Sequence, residues 1–260
     1  NRSTINLFFS GTSNFLLPPS PASVLGYFRI AVSCFALIQA MFLLPDWMWL
    51  YGQNGLIPWD ISDALSVHNT PSLLFVYNIM SPFGVPANIV VYLCTALYII
   101  SLIGLALGYK TRLMGITAWL MHLIFNTTAN LTTYGVENFT QIALFYCMIL
   151  PVGSSLSIDA GKPYPVPGYL ITLSIRLIQL HLCIMYLACG IEKALGTQWW
   201  NGEAIWMAMQ QDHFHSIDIN WMANFPVIPK LLCWSTLLVE VLYPLGIFWK
   251  KTKKIWLLAI

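Results

Sequence analysis

YLITLSIRLIQLHLCIMYLACGIEKAL, residues 169–195, carries only Arg176, Glu192 and Lys193 as charged side chains. A run of this length exceeds the ~20 apolar residues that take a helix across the hydrocarbon core of a bilayer. The rest of the chain has the same character. Hydrophobic residues make up 58% and charged residues 8% of it, against roughly 25% charged in an ordinary soluble domain. The composition predicts an all-α, polytopic transmembrane bundle, one domain over residues 1–260, with the lipid bilayer as its surroundings. A net charge of +2 with the basic residues on one side gives no nucleic-acid surface. The chain starts at Asn1 and stops at Ile260 within an apolar run, so further sequence is expected at both ends.

Apolar runs place spans at about 22–44, 86–107, 113–128, 137–152, 169–195 and 231–249, with a seventh beginning at Ile255. The third and fourth are short for full crossings. Residues 71–83, between Pro71 and Pro82, read as a short interfacial helix. Arg2, Lys110, Arg112, Lys162, Lys250, Lys251, Lys253 and Lys254 fall on one side, and Lys193 and Lys230 on the other. That second side carries Asp46, Asp60, Asp63, Glu203, Asp212 and Asp218. Lys and Arg mark the cytoplasmic side. The N-terminus is therefore expected inside, and loops 45–85 and 196–230 outside, in a bacterial inner membrane. Both loops are rich in Trp, among them Trp59 and Trp199. Such residues form either an interfacial belt or a lid over an outward-opening cavity.

Charged side chains in or beside a bilayer are costly and mark functional positions by default. Glu192 and Lys193 end the fifth span. A desolvated Lys gives up its proton more readily and serves as a base; the plainer alternative is a snorkelling Lys paired with Glu192. At ~100° per residue, Gln179, Tyr186, Cys189 and Lys193 share one face, with His181 and Glu192 on another. Gly190 leaves room there for a ligand or a neighbouring helix. Arg29, His122, Arg176 and Glu240 are the other intramembrane polar residues. Snorkelling or a structural pair accounts for Arg29 and Arg176, and packing for His122. Glu240, in mid-span, needs a partner from Arg176, His181 or Lys193. The six cysteines all fall within spans and lack metal-ligand spacing. They read as buried free thiols, and no metal is expected.

The pattern Tyr186…Gly190-Ile-Glu-Lys193, followed by Trp199 or Trp200 and Gly202, resembles the catalytic-lysine helix of vitamin K-dependent gamma-carboxylase. The wider resemblance is to the horizontally transferred transmembrane (HTTM) domain, the family of its bacterial relatives. Arg29, Tyr51-Gly-Gln-Asn-Gly-Leu-Ile-Pro-Trp59, Gly108-Tyr-Lys-Thr-Arg112 and Pro151-Val-Gly-Ser-Ser-Leu-Ser-Ile-Asp159 resemble its other motifs in the expected order. The resemblance implies that Lys193 is the base toward a reduced quinone, with Tyr186 and Glu192 beside it. Gln179, Gly190, Trp199, Trp59 and His181 are the residues expected to bind that vitamin K-like cofactor. Where the carboxylase has a His entering its fourth span, this chain has Glu137 and Asn138.

Two functions from different classes follow. The first is a quinol-dependent membrane enzyme that modifies a peptide or lipid on the outer side. The second is a non-enzymatic module for peptide-toxin maturation, immunity or complex anchoring, of the sporulation-delaying B type, with a membrane-complex partner. A transporter is disfavoured by the lack of an inverted repeat.

Overall fold

The computed structural model describes residues 20–66, 70–160, 166–211, 220–248 and 252–258. Among these the chain is all-helical, with no strand. The long helices are α1 (Ser23–Leu43), α5 (Ala87–Leu107), α6 (Thr111–Thr128), α7 (Gly135–Ile149), α8 (Gly168–Leu195) and α11 (Val227–Phe248). Short helices occupy the connections: α2 (Trp47–Tyr51), α3 (Trp59–Leu65), α4 (Leu73–Met80), α9 (Thr197–Asn201), α10 (Glu203–Met209) and α12 (Lys253–Leu258). α4 with the 3-10 turn Ser81–Phe83 is the short helix expected over 71–83. Four helical segments are long and apolar enough to cross a membrane: Ser23–Tyr51, Ala87–Leu107, Gly168–Leu195 and Val227–Ile247. They turn large apolar side chains outward, including Phe42 at 81% exposure, Ile100 at 60% and Leu245 at 71%. A surface of this kind suits hydrocarbon and not water.

The chain divides into a unit ending at Ile175 and a unit beginning at Arg176. In the first, α5 packs on α1 and α6, and α6 on α7. The turn after α5 and the loop after α7 are held by one side chain. Arg29 is fully buried. Its Nη1 donates to the carbonyls of Val152 (3.1 Å) and Ser155 (3.4 Å), and its Nη2 to those of Ala106 (3.4 Å) and Leu156 (2.5 Å). The loop it grips is Pro151–Asp159, which also docks on the end of α5 through Ile158 N to Leu107 O and Asp159 N to Gly108 O. Asp159 Oδ2 then accepts from Thr111 N at 2.7 Å and Thr111 Oγ1 at 2.6 Å. A carboxylate at the first turn of α6 meets otherwise unpaired amides and the positive end of the helix dipole. Gly108 sits at φ +72, and a Cβ there would lie 2.8 Å from Arg29 Nη1. Arg29 is thus a structural hub and does not snorkel.

The second unit packs α9, α10 and α12 against α11. The expected seventh span is, over its described part, the short helix α12, which returns onto α11. Thr252 Oγ1 donates to Gly246 O at 2.8 Å, and Trp256 lies against Gly246. Two further expectations need correction. Arg176 is exposed, not buried, and donates to Gln179 Oε1 at 3.0 Å, one helical turn on. Of the six cysteines, all free, Cys34 and Cys189 are exposed because they lie on outward faces of apolar helices. Arg2, Lys162, Lys250, Lys251, Asp212 and Asp218, used in reading the sidedness, lie outside the described residues.

Candidate functional site

Lys193 in the last turn of α8 is paired with Glu240 of α11, Nζ to Oε1. Close approach of the two helices makes this pairing available. A Cβ at Gly190 would lie 2.9 Å from Val241 N and 3.0 Å from Glu240 Cβ, so only glycine lets α11 come this near. The Lys193 ammonium also lies 5.2 Å from the Trp199 ring centroid, within cation–π range. Glu240 keeps 14% side-chain exposure and Lys193 29%. The second carboxylate oxygen, Glu240 Oε2, is buried and has no hydrogen-bond partner among the described residues. A buried carboxylate oxygen without a donor is costly. The Tyr186 ring lies 4.8 Å from that of Tyr243 of α11, the planes tilted by 47°, on the same helix pair.

The structure brings Lys193, Glu240 and Trp199 together within the second unit. Glu192 is exposed and is not the partner of Lys193, as the helical angles predict. The room beside Gly190 is filled by α11, so this glycine serves helix packing and not cofactor binding. His181 and Gln179 lie on α8 about 18 and 21 Å from Lys193 along the axis, at ~1.5 Å per residue over 12 and 14 residues. They cannot line one quinone-sized head with it. Trp59 belongs to the first unit, where it is buried and donates Nε1–H to Tyr51 O at 2.9 Å. It is a packing residue of its own segment.

Gly190→Ala tests the close contact. Its methyl group overpacks backbone, which typically costs about 1–3 kcal/mol. We expect a lowered thermal midpoint in detergent and a weakened Lys193–Glu240 pair. An unchanged midpoint would mean that the helices are not held this closely.

The first unit holds a second polar cluster, in which His122 meets Glu137, two residues the sequence singled out separately. Tyr98 OH lies 2.8 Å from His122 Nδ1, and His122 Nε2 lies 3.1 Å from Glu137 O. A carbonyl only accepts, so Nε2 carries the proton, Nδ1 accepts and Tyr98 donates. The Glu137 carboxylate accepts from Gln39 Nε2 at 2.9 Å and Tyr134 N at 2.8 Å. Gln39, Trp47, Tyr51, Tyr98, His122, Phe125, Asn126 and Glu137 line a cavity of about 20 Å³. The lone Gln39 within the first apolar run was the available signal. His122 is thus a satisfied packing histidine that also borders a cavity.

Among the described residues no group of three or more His, Cys, Asp or Glu side chains is placed to hold a metal ion. No protein-family model matches the chain, and neither a curated protein nor a solved structure matches it.

Proposed function

We propose that this chain is an integral membrane enzyme of the HTTM, carboxylase-like type, in which Lys193 and Glu240 act together on the hydroxyl of a reduced quinone. The observation that carries this reading is the unpartnered, buried Glu240 Oε2 next to the Lys193–Glu240 pair. A hydroquinone hydroxyl is a neutral donor that fits this vacancy in the hydrogen bonding, and the Tyr186–Tyr243 rings supply an aromatic wall on the same two helices. When bound, a reduced quinone supplies electrons for chemistry on a peptide or lipid substrate. The chain's own part is to hold the hydroxyl on Glu240 and to take its proton. Passing the Nζ proton to Oε1 turns the ion pair into a neutral pair without a net change of charge, which suits a site of low polarity.

In this reading six spans cross the membrane, with α6 and α7 as the short ones. The N-terminus is cytoplasmic and the two Trp-rich connections face outward. The sidedness of Lys and Arg supports this arrangement. The ordered motifs support the family. Three of them (Arg29, residues 108–112 and residues 151–159) meet in the Arg29 hub.

The test is oxygen uptake by protein in nanodiscs supplied with a reduced naphthoquinone. Lys193→Arg preserves a cation opposite Glu240 but cannot release its proton under these conditions. We expect a folded variant with uptake reduced to background. A Lys193→Arg protein with wild-type uptake would remove Lys193 as the base.

The specific observation that favours a second reading is the seating of α11 on Gly190. It suits a clasp between helices in a non-enzymatic module that anchors a membrane-complex partner. A clasp needs a cation at position 193 but no proton release, so in that case no quinol-dependent uptake occurs in the wild type.

A further inference from the structure

We propose that α4 and the 3-10 turn after it, residues 73–83, lie within one leaflet of the bilayer, with the row Phe75, Ile79 and Phe83 against lipid acyl chains. This rests neither on the quinol reading nor on which side of the membrane is cytoplasmic.

Length rules out a crossing. The 8 residues of α4 and the 3 of the turn, at ~1.5 and ~2.0 Å each, extend about 18 Å, against a hydrocarbon core of ~30 Å. Composition argues against water. No Asp, Glu, Lys or Arg occurs between Asp63 and Lys110. The earlier part of the same connection carries Asp46, Asp60 and Asp63, and the other long connection carries Glu203. Yet the segment is not covered by protein. Phe75 and Ile79 are each 55% exposed and Phe83 82%. Spaced four residues apart, they form one row along the helix.

The fold fixes which way this row points. Ser72 Oγ accepts from Phe75 N at 3.2 Å, and Thr128 Oγ1 of α6 accepts from Leu73 N at 2.9 Å. Leu73 is fully buried, and the Tyr77 ring lies 5.9 Å from that of Trp59 on α3. These contacts hold one side of α4 on the first unit and leave the Phe75 row outward. Gly84, at φ +75, then turns the chain into α5, on which α4 packs. Ile89, Leu93 and Ile100 of α5 are exposed as well, on a helix long and apolar enough to cross a membrane. The row of α4 therefore extends a surface that already suits hydrocarbon. Its lack of charge fits that medium, in which a charged side chain is costly.

The experiment uses the full chain in nanodiscs of dioleoylphosphatidylcholine, with photoreactive p-benzoylphenylalanine placed singly at Phe75, Ile79 or Phe83. Ile100 on α5 and Asp60, exposed on α3, serve as reference positions. After irradiation, intact mass reads the addition of one phospholipid. We expect lipid adducts at Phe75, Ile79 and Phe83, as at Ile100, and none at Asp60. Adduct yields at the three positions no higher than at Asp60 overturn the proposal, because the row then faces water. A cross-linked dimer in place of the lipid adduct also overturns it, because a second copy then covers the row. All three replaced side chains are exposed, so folding should be retained, and if one variant fails to fold the other two decide.

Discussion

Replacing Arg29 by Met is expected to cost the first unit its fold. The variant keeps the apolar stem but withdraws the guanidinium from the carbonyls of Val152, Ser155, Ala106 and Leu156. The bond to Val152 is buried and the other three are part-buried. A stranded buried carbonyl costs about 1–3 kcal/mol, a large part of the roughly 5–15 kcal/mol that holds a typical domain. Arg29→Lys should rescue little. An ammonium is a compact point donor and does not reproduce a planar fork that reaches both the Pro151–Asp159 loop and the end of α5. Monodisperse yield from detergent and the thermal midpoint measure the effect. A well-behaved Arg29→Met protein with a midpoint near wild type would show that the loop is held by other means.

The second large effect concerns the Lys193–Glu240 pair, read as a double-mutant cycle. Lys193→Met leaves a half-buried carboxylate facing Met, and Glu240→Leu leaves an ammonium facing Leu. Breaking a fully buried pair costs about 3–5 kcal/mol. Lys193 retains 29% exposure, so about 1–3 kcal/mol is the better expectation here, discounted for solvent screening. The double variant Lys193→Met/Glu240→Leu should recover most of that loss, because apolar replacement of both partners is often neutral. The double variant should also lack quinol-dependent uptake, since no proton-accepting group remains. Additive losses in the double variant would mean that the two side chains are not coupled.

Helix positions were legible because a bilayer crossing leaves a long, nearly uncharged run. The readings of 22–44 and 169–195 coincide closely with Ser23–Leu43 and Gly168–Leu195. The sixth run, read at 231–249, starts later than the helix itself, which includes Pro229 and Lys230 in its first turn. Proline is tolerated in the first turn, where its missing N–H would be unpaired anyway, and α11 begins at Val227. The pairing of Glu240 was legible to a short set of partners, since an intramembrane carboxylate needs one. Which of Arg176, His181 and Lys193 it takes depends on where Gly190 lets α11 approach, and no periodicity along α8 reveals that. The cavity beside His122 was not legible. Gln39, Trp47, Tyr98, Asn126 and Glu137 come from separate segments, and each alone passes for an ordinary helix residue. Spacing on α8 misled in placing Gln179 and Lys193 at one site: a shared face fixes direction around the axis but not distance along it.

The most direct measurement is an infrared difference spectrum of the protein in nanodiscs on adding reduced naphthoquinone. Docking of the hydroxyl on Glu240 Oε2, as proposed, should give a change in carboxyl absorption that disappears in Glu240→Gln and persists in Glu192→Gln. A spectrum without any carboxyl change, or one whose change survives Glu240→Gln, would contradict it.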